Sequence, residues 1–450
     1  MTAHRTDDHV HDLLGIGVGP FNLGLACLAE PLGLDAVFLE RRGELRWHPG
    51  MMLDDAVLQV PFLADLVTMA DPTSRFSFLS YLKQRGRLYP FYVRESFYPL
   101  RREFDDYCRW AADEVGTVAY HREAVAVTRT HDATGPVYVV ACRDPRDGSR
   151  STYRARHLVL GVGSEPHRPE ALAGLTGAVW HSSDYLHVRD RLLGADDVTV
   201  VGSGQSAAEV VSDLLAADGH GRQRLQWLTR SPRFFPLEYT KLTLELTSPE
   251  YSRHFRRLDA DRRDALLREQ AGLYKGISAP LVDQIHEQLY RRSLDAVPQP
   301  RLAACAEVVD GRTEETPRGS RHTLRLRQTE TGEEYEVETS AVVLATGYAR
   351  ATPRFLDGVR DRLRLDGHGR LDAREDFSVD REGGEVFVQN AEIHTHGFVA
   401  PDLGMGAWRN AAILERVLGE APYEVERRVM FQDFGVPEGA RRVVPAGAAR

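Results

Sequence analysis

The stretch DLLGIGVGPFNLGLACLAEPLGLDAVFLE, residues 12–40, decides the fold. Residues 12–18 are apolar and read as a strand. Gly17, Gly19 and Pro20 then make a tight turn, residues 22–30 carry the small and apolar side chains of a packed helix, and a second strand over 35–39 ends on Glu40. Strand, glycine turn, helix, strand, acid is the unit that holds a dinucleotide. Its glycines let backbone N–H groups approach a pyrophosphate, the helix N-terminus offers its positive end, and the final carboxylate accepts ribose hydroxyls. The third glycine of the GxGxxG pattern is replaced by Asn22, so this loop taken singly is a weak signal.

A second unit repeats the pattern from Asp197. A strand over 198–201 leads into Gly202, Ser203 and Gly204; Gln205, Ser206 and the small Ala207 open a helix; a strand over 225–228 follows. Arg230 stands where the first unit has its acid, with Arg233 close behind. A cation there suits a 2′-phosphate, so NADPH is expected rather than NADH. Both units also have the same sequel. Residues 137–142 and 152–160 form a hairpin-like pair ending at Gly161, and residues 323–327 and 334–344 do so ending at Gly347; the spacings from Gly17 and Gly202 are 144 and 145 positions. The expectation is an α/β chain with two Rossmann-like dinucleotide-binding domains. Residues 237–300, rich in Arg, Glu, Leu and Tyr, read as a mainly helical insertion over the site.

Composition narrows the function. The chain has 450 residues, 42% hydrophobic and 27% charged, with a net charge of −9. No run of basic residues offers a footprint for nucleic acid. The first twelve residues are polar and no long apolar stretch follows, so neither a signal peptide nor a membrane span is expected, and the cytoplasm is the expected location. Cys27, Cys108, Cys142 and Cys305 are widely spaced. Without a CxxC pair they form no redox dithiol or metal clip, which argues against a disulfide reductase; no metal site is expected.

Seven motifs occur in a fixed order: GVGPFN (17–22), WHPGM (47–51), LQVPFLADLVT (58–68), RREFDDYCRW (101–110), GSGQSA (202–207), ATGY (345–348) and AWRN (407–410). As an ordered set, running from about residue 12 to 418, they resemble the N-hydroxylating flavin monooxygenases of siderophore biosynthesis, the lysine/ornithine N-monooxygenase family. The overall pattern is most similar to the diamine N-hydroxylases. The resemblance implies FAD, NADPH and dioxygen, and oxygen transfer to an amine nitrogen through a flavin hydroperoxide. It implies an FAD domain over 10–168 and 339–436, an NADPH domain over 169–236 and 301–338, the substrate insertion over 237–300, and a frayed tail over 437–450. It implies a homodimer or homotetramer. By motif position Gln59 and Arg101 lie beside the flavin and NADPH, Trp47 and His48 line the FAD together with Leu403, and Gln205 and Ser206 touch cofactor.

The same resemblance bears on the amine. Members acting on lysine or ornithine hold the substrate carboxylate with a lysine five residues after the position of Gln59, which here is Ala64. An asparagine that the ornithine enzymes use aligns with Leu244, and none of the three asparagines of this chain, Asn22, Asn390 and Asn410, falls within 237–300. A carboxylate buried without its cation costs about 3–5 kcal/mol. The expected substrate is therefore a diamine, cadaverine or putrescine. Lys275 is the cation that could restore an amino-acid substrate, so lysine and ornithine stay as the alternative. Asp402, Glu245 and Asp65 are candidates to anchor the far ammonium. An uncoupled NADPH oxidase or another flavin oxygenase is the alternative of a different class.

Overall fold

A computed structural model of the chain describes residues 5–218, 223–317, 319–426, 428–437 and 439–440. Most of the tail expected to fray, 437–450, lies outside the described residues.

Two sheets organise the molecule. The first contains β1 (Arg5–Ile16), β2 (Ala36–Leu39), β3 (Val118–Ala119), β4 (Glu123–Asp132), β5 (Gly135–Arg143), β6 (Arg150–Leu160) and β17 (Val386–Val388). Its order is β3-β2-β1-β6, all parallel; the antiparallel hairpin β4–β5 joins the first half of β6, and β17 runs parallel to its last three residues. β1 begins well before the apolar run that announced it. Its polar first half extends along β6, from Arg5 opposite Ser151, with a register shift between Thr6 and Val10.

The helix Pro20–Ala29 covers this sheet and has almost no exposed side, with Leu23, Leu25, Cys27 and Leu28 fully buried. It packs between the helices Arg101–Val115 and Gly406–Leu418. A helix apolar all round belongs inside, and each of its fully buried leucines contributes about 1.5–3 kcal/mol.

The second sheet takes β8 (Val179–His181), β9 (Asp197–Val201), β10 (Arg224–Leu228), β11 (Arg301–Ala303) and β15 (Ala341–Leu344) in the order β11-β10-β9-β15-β8, all parallel. Beside it lies the antiparallel meander β12 (Ala306–Thr316), β13 (Gly319–Gln328) and β14 (Glu334–Thr339). The second hairpin-like pair thus differs from the first. β6 is continuous, whereas its counterpart breaks at Ser340: β14 stays with the meander and β15 enters the parallel sheet beside β9. The Ser340 hydroxyl donates to the Asp197 carbonyl and accepts from the Asp197 N–H, fixing the break. This corrects the boundary at 339, because residues 341–344 pair within the second sheet.

The chain passes between the sheets twice, and both passages touch. β7 (Glu165–Pro166) and β16 (Tyr348–Ala349) pair antiparallel, Tyr348 opposite Pro166 and Ala349 opposite Glu165. The insertion is helical and divided in its packing. The helix Pro249–Arg256 leans on the first domain, with Arg256 donating to the Ala373 carbonyl. The helix Ala279–Ser293 joins the core of the second domain through Leu281, Val282, Ile285 and Leu289.

Candidate active site

Both glycine turns follow from steric necessity. Gly17 has φ +86°, and a Cβ there would sit 2.6 Å from the Gly161 carbonyl oxygen. Gly202 has φ +135°, and a Cβ would collide with the Ala345 carbonyl. Only glycine fits such positions. Each turn delivers a helix whose N-cap is itself a glycine, Gly19 or Gly204, with no side chain capping the first turn and open space in front of the glycine. Pro20 occupies the first helical position of the first helix, where its missing N–H costs nothing. Two bare helix N-termini are two anion sites, and they fit the pyrophosphates of two dinucleotides.

A cleft of about 1070 Å³ opens at the first turn. Gly19, Pro20, Trp47, His48, Gln59, Arg101 and Leu403 line it from the first domain. Tyr239, Leu244, Thr247 and Tyr274 line it from the insertion, and Phe398 and Asp402 from the segment after β17. The loop from Gly202 to Ser206 and Arg230 lie outside this lining. Ser203 instead hydrogen-bonds to Ser231 at 3.2 Å. Arg230 is exposed, and among the described residues no carboxylate pairs with it.

Four side chains link the domains beside the cleft, and two of them, Gln59 and Arg101, line it. Gln59 Nε2 donates to Gln205 Oε1 at 3.2 Å; Gln205 Nε2 donates to Glu209 Oε1 at 3.1 Å; Glu209 receives both guanidinium nitrogens of Arg101. Arg101 also donates to the Met51 carbonyl at 2.6 Å, and Gln205 Oε1 accepts the Ser278 N–H at 2.9 Å. Glu209 was missed at the level of sequence. The signal was present, since Gln205 and Glu209 are four apart on one helix and share a face.

The aromatic turn is held from behind. Asp105 accepts the Trp47 N–H at 2.7 Å, and the Trp47 ring packs against His48 and Phe104. His48 has a left-handed backbone, φ 51°. Its side chain is exposed and lines the cleft, and the surrounding protein, then Arg101 and Arg42, lower its pKa to about 4. At neutral pH it is an uncharged imidazole.

Several expected site residues already have partners within the protein. Asn22 is fully buried; its amide donates to the Gly17 carbonyl at 2.8 Å and accepts from Gln389 at 2.7 Å, tying the turn to the strand ends. Glu40 already accepts the N–H groups of Val18 and Arg42. Asp65 accepts from the Val67, Thr68 and Phe78 N–H groups and the Thr68 hydroxyl. Glu245 accepts the N–H groups of Phe431 and Gln432. Lys275 is exposed, over the Tyr274 ring and outside the cleft lining.

Asp402 remains. Its carboxylate lines the cleft and accepts the Met405 N–H at 3.3 Å. Burial raises its pKa, against the N–H groups of Gly404 and Met405. Tyr239 stands near it; burial, then Tyr98, then the Asp402 charge raise the phenol's pKa. Tyr274 and Phe398 add two rings, 5.0 Å apart. Ala64 is buried off the main cleft, yet close: a methyl group on Gly404 would lie 3.0 Å from Asp402 Oδ1 and 3.5 Å from Ala64 Cβ.

Comparison with known proteins agrees with this arrangement. Residues 9–350 match the family model described as L-lysine 6-monooxygenase/L-ornithine 5-monooxygenase. A putrescine N-hydroxylase of Shewanella oneidensis is 45% identical over 431 residues, covering 95% of this chain and 85% of that one. The FAD-bound crystal structure of the cadaverine monooxygenase of desferrioxamine biosynthesis from Erwinia amylovora superposes with a TM-score of 0.92 at 43% identity, covering 96% of this chain and all of that one. An ornithine N-hydroxylase from Kutzneria sp. 744, solved with reduced FAD, NADP⁺ and L-ornithine, gives 0.82 at 29% identity, over 91% of this chain and 99% of that one. With its two bare helix N-termini, the cleft they serve and this match over most of its length, the chain belongs to the L-lysine 6-monooxygenase/L-ornithine 5-monooxygenase family of flavin-dependent N-hydroxylating enzymes.

Proposed function

We propose that this protein N-hydroxylates an aliphatic primary diamine, cadaverine or putrescine, with FAD, NADPH and dioxygen, for hydroxamate siderophore biosynthesis. One observation carries the choice of amine. The side of the cleft formed by the insertion and the segment after β17 presents a carboxylate, Asp402, and neither lysine nor arginine. Such a wall receives an ammonium and repels the carboxylate of an amino acid.

The first turn, Trp47, His48 and Leu403 hold FAD in this reading; the second turn, Gln205 and Ser206 hold NADPH, with Arg230 on its 2′-phosphate. Bound FAD, reduced by NADPH, supplies an activated oxygen atom from dioxygen. The chain's own task is to position a neutral amine. An alkylamine has a reference pKa of about 10.4, so near pH 7.5 about one molecule in a thousand is neutral, a deficit of about 4 kcal/mol. Tyr239, Tyr274 and Phe398 exclude water from the bound chain, which lowers the amine's pKa. Gln59 and the uncharged His48 present no net charge to the reacting end. Asp402 holds the far ammonium, with ring faces beside it for cation–π contact.

The reading includes a cytoplasmic enzyme and a homodimer or homotetramer. Four buried free cysteines suit a reducing compartment, and among the described residues no helix is long and apolar enough to cross a membrane. The exposed Tyr89, Tyr92, Val93 and Phe97 offer an apolar face for self-association.

The test is hydroxylamine formation by the FAD-loaded enzyme with cadaverine, putrescine, lysine and ornithine. Product from a diamine is expected. Product from lysine or ornithine alone overturns the diamine assignment, and NADPH oxidation without product from any amine overturns the reaction.

A further inference from the structure

We propose that His9, His11 and Asp35 form a binding site for a divalent first-row transition-metal ion on the outer face of the first domain. The inference does not rest on the diamine reading, because none of the three residues lines the cleft.

The strand geometry assembles the donors. His9 and His11 are two apart on β1, so both side chains leave the same face. The register shift between Thr6 and Val10 lies at this point, and such bulges re-aim side chains. Asp35 is the residue before β2, and its carbonyl accepts the N–H groups of Asp12 at 2.9 Å and Leu13 at 3.2 Å. The carboxylate is thereby clipped beside the strand that carries the histidines. Its Oδ2 lies 2.5 Å from His9 Nε2 and its Oδ1 2.9 Å from His11 Nδ1. One donor atom from each residue falls within 4.8 Å of the others. Bonds of about 2.0–2.2 Å to imidazole nitrogen and carboxylate oxygen close onto such a triangle after small side-chain rotations.

The chemistry selects the ion. Two imidazoles and one carboxylate suit zinc, nickel, copper and iron(II), whereas magnesium and calcium call for all-oxygen sites. His9 and Asp35 side chains are 55% and 43% exposed, which leaves room for water to complete the coordination; His11, 15% exposed, forms the inner wall. The ring nitrogens that face the carboxylate must be free of protons to bind an ion, so binding releases protons and weakens in acid. A bound ion joins the polar half of β1 to the start of β2 and stabilises the folded chain by mass action.

The experiment uses the untagged, full-length, FAD-loaded protein, stripped of metal by dialysis against a chelator. It is titrated calorimetrically with zinc chloride, and with magnesium chloride as control, at pH 7.5 and 5.5. The expected result at pH 7.5 is one zinc per chain with proton release. Zinc binding is expected to weaken at least tenfold at pH 5.5, magnesium to give no heat, and the melting temperature to rise with zinc. The double variant His11→Ala, Asp35→Asn is expected to lose the zinc site while retaining bound FAD, which shows that it folds. No stoichiometric zinc uptake by the parent, or unchanged uptake by the double variant, overturns the site.

Discussion

Arg101 and Glu209 meet across the domain boundary in a two-pronged ion pair, Nη2 to Oε1 at 2.6 Å and Nη1 to Oε2 at 3.0 Å, with side chains 13% and 7% exposed. Removing one partner of a buried pair strands the other charge and costs about 3–5 kcal/mol. Glu209→Ala is therefore expected to lower the denaturation midpoint strongly. Glu209→Gln, which keeps an acceptor for Arg101, is expected to lower it less. Equal midpoints for parent and Glu209→Ala would show that the pair does not join the domains.

Asp402→Asn is expected to raise KM for cadaverine about 10- to 100-fold, from loss of a charged hydrogen bond worth about 1.5–3 kcal/mol. Pentylamine, which has no second ammonium, controls for structural damage. Its KM is expected to stay at the parent value, and parallel losses with both amines would remove Asp402 as the anchor.

Because burial raises the Asp402 pKa, the carboxylate takes up its proton at a higher pH than an ordinary aspartate. The anion is the form that binds ammonium, so KM for the diamine is expected to climb on mild acidification. Titrating KM between pH 8 and 5 checks this, and the climb should be absent in Asp402→Asn.

A methyl group placed on Gly404 would touch both Asp402 Oδ1, at 3.0 Å, and Ala64 Cβ, at 3.5 Å, so these two side chains lie close to one another. A lysine at 64 reaches that carboxylate along its four-carbon stem and cancels its charge. Ala64→Lys is expected to depress kcat/KM for cadaverine at least tenfold and to reduce discrimination against lysine. Initial rates with both substrates measure it.

His394 and His396 are buried, and burial followed by nearby arginines lowers both pKa values, that of His394 to about 4. Between about pH 6.5 and 4 the unfolded chain binds protons there that the folded chain does not, so stability falls as pH falls. For His394 the loss amounts to about 3 kcal/mol when complete. Denaturant unfolding across this range is expected to show the slope, flatter in His394→Gln.

Arg230→Ala is expected to raise KM for NADPH about tenfold or more and to leave KM for NADH unchanged, since only NADPH carries the 2′-phosphate. Parallel increases would place the arginine elsewhere than at that phosphate.

The sequence was legible where local geometry forces residue type. Gly17 and Gly202 stand where a Cβ would strike a carbonyl, so both turns could be read from their letters. The domain boundary near 339 could not, because the break at Ser340 depends on a hydrogen-bond exchange with Asp197, 143 positions away. The fates of Asp65, Glu245 and Asp402 were equally hidden. All three are carboxylates beside motif residues, and only the folded chain shows that backbone N–H groups occupy the first two while the third faces the cleft. Tyr239, Tyr274 and Phe398 come from distant segments whose convergence no periodicity announces.

The pairing of Glu165–Pro166 with Tyr348–Ala349 brings together the two points where the chain leaves and re-enters the first domain. Everything between them is spliced into a host fold at a single doorway. A tight turn of a few residues could join Pro166 directly to Tyr348 and leave the strand order of the first sheet intact, because none of its strands derives from the excised part. The gene can thus be read as one nucleotide-binding protein carrying another as cargo, and a shortened chain that retains yellow flavin without any response to NADPH is the molecule this architecture permits.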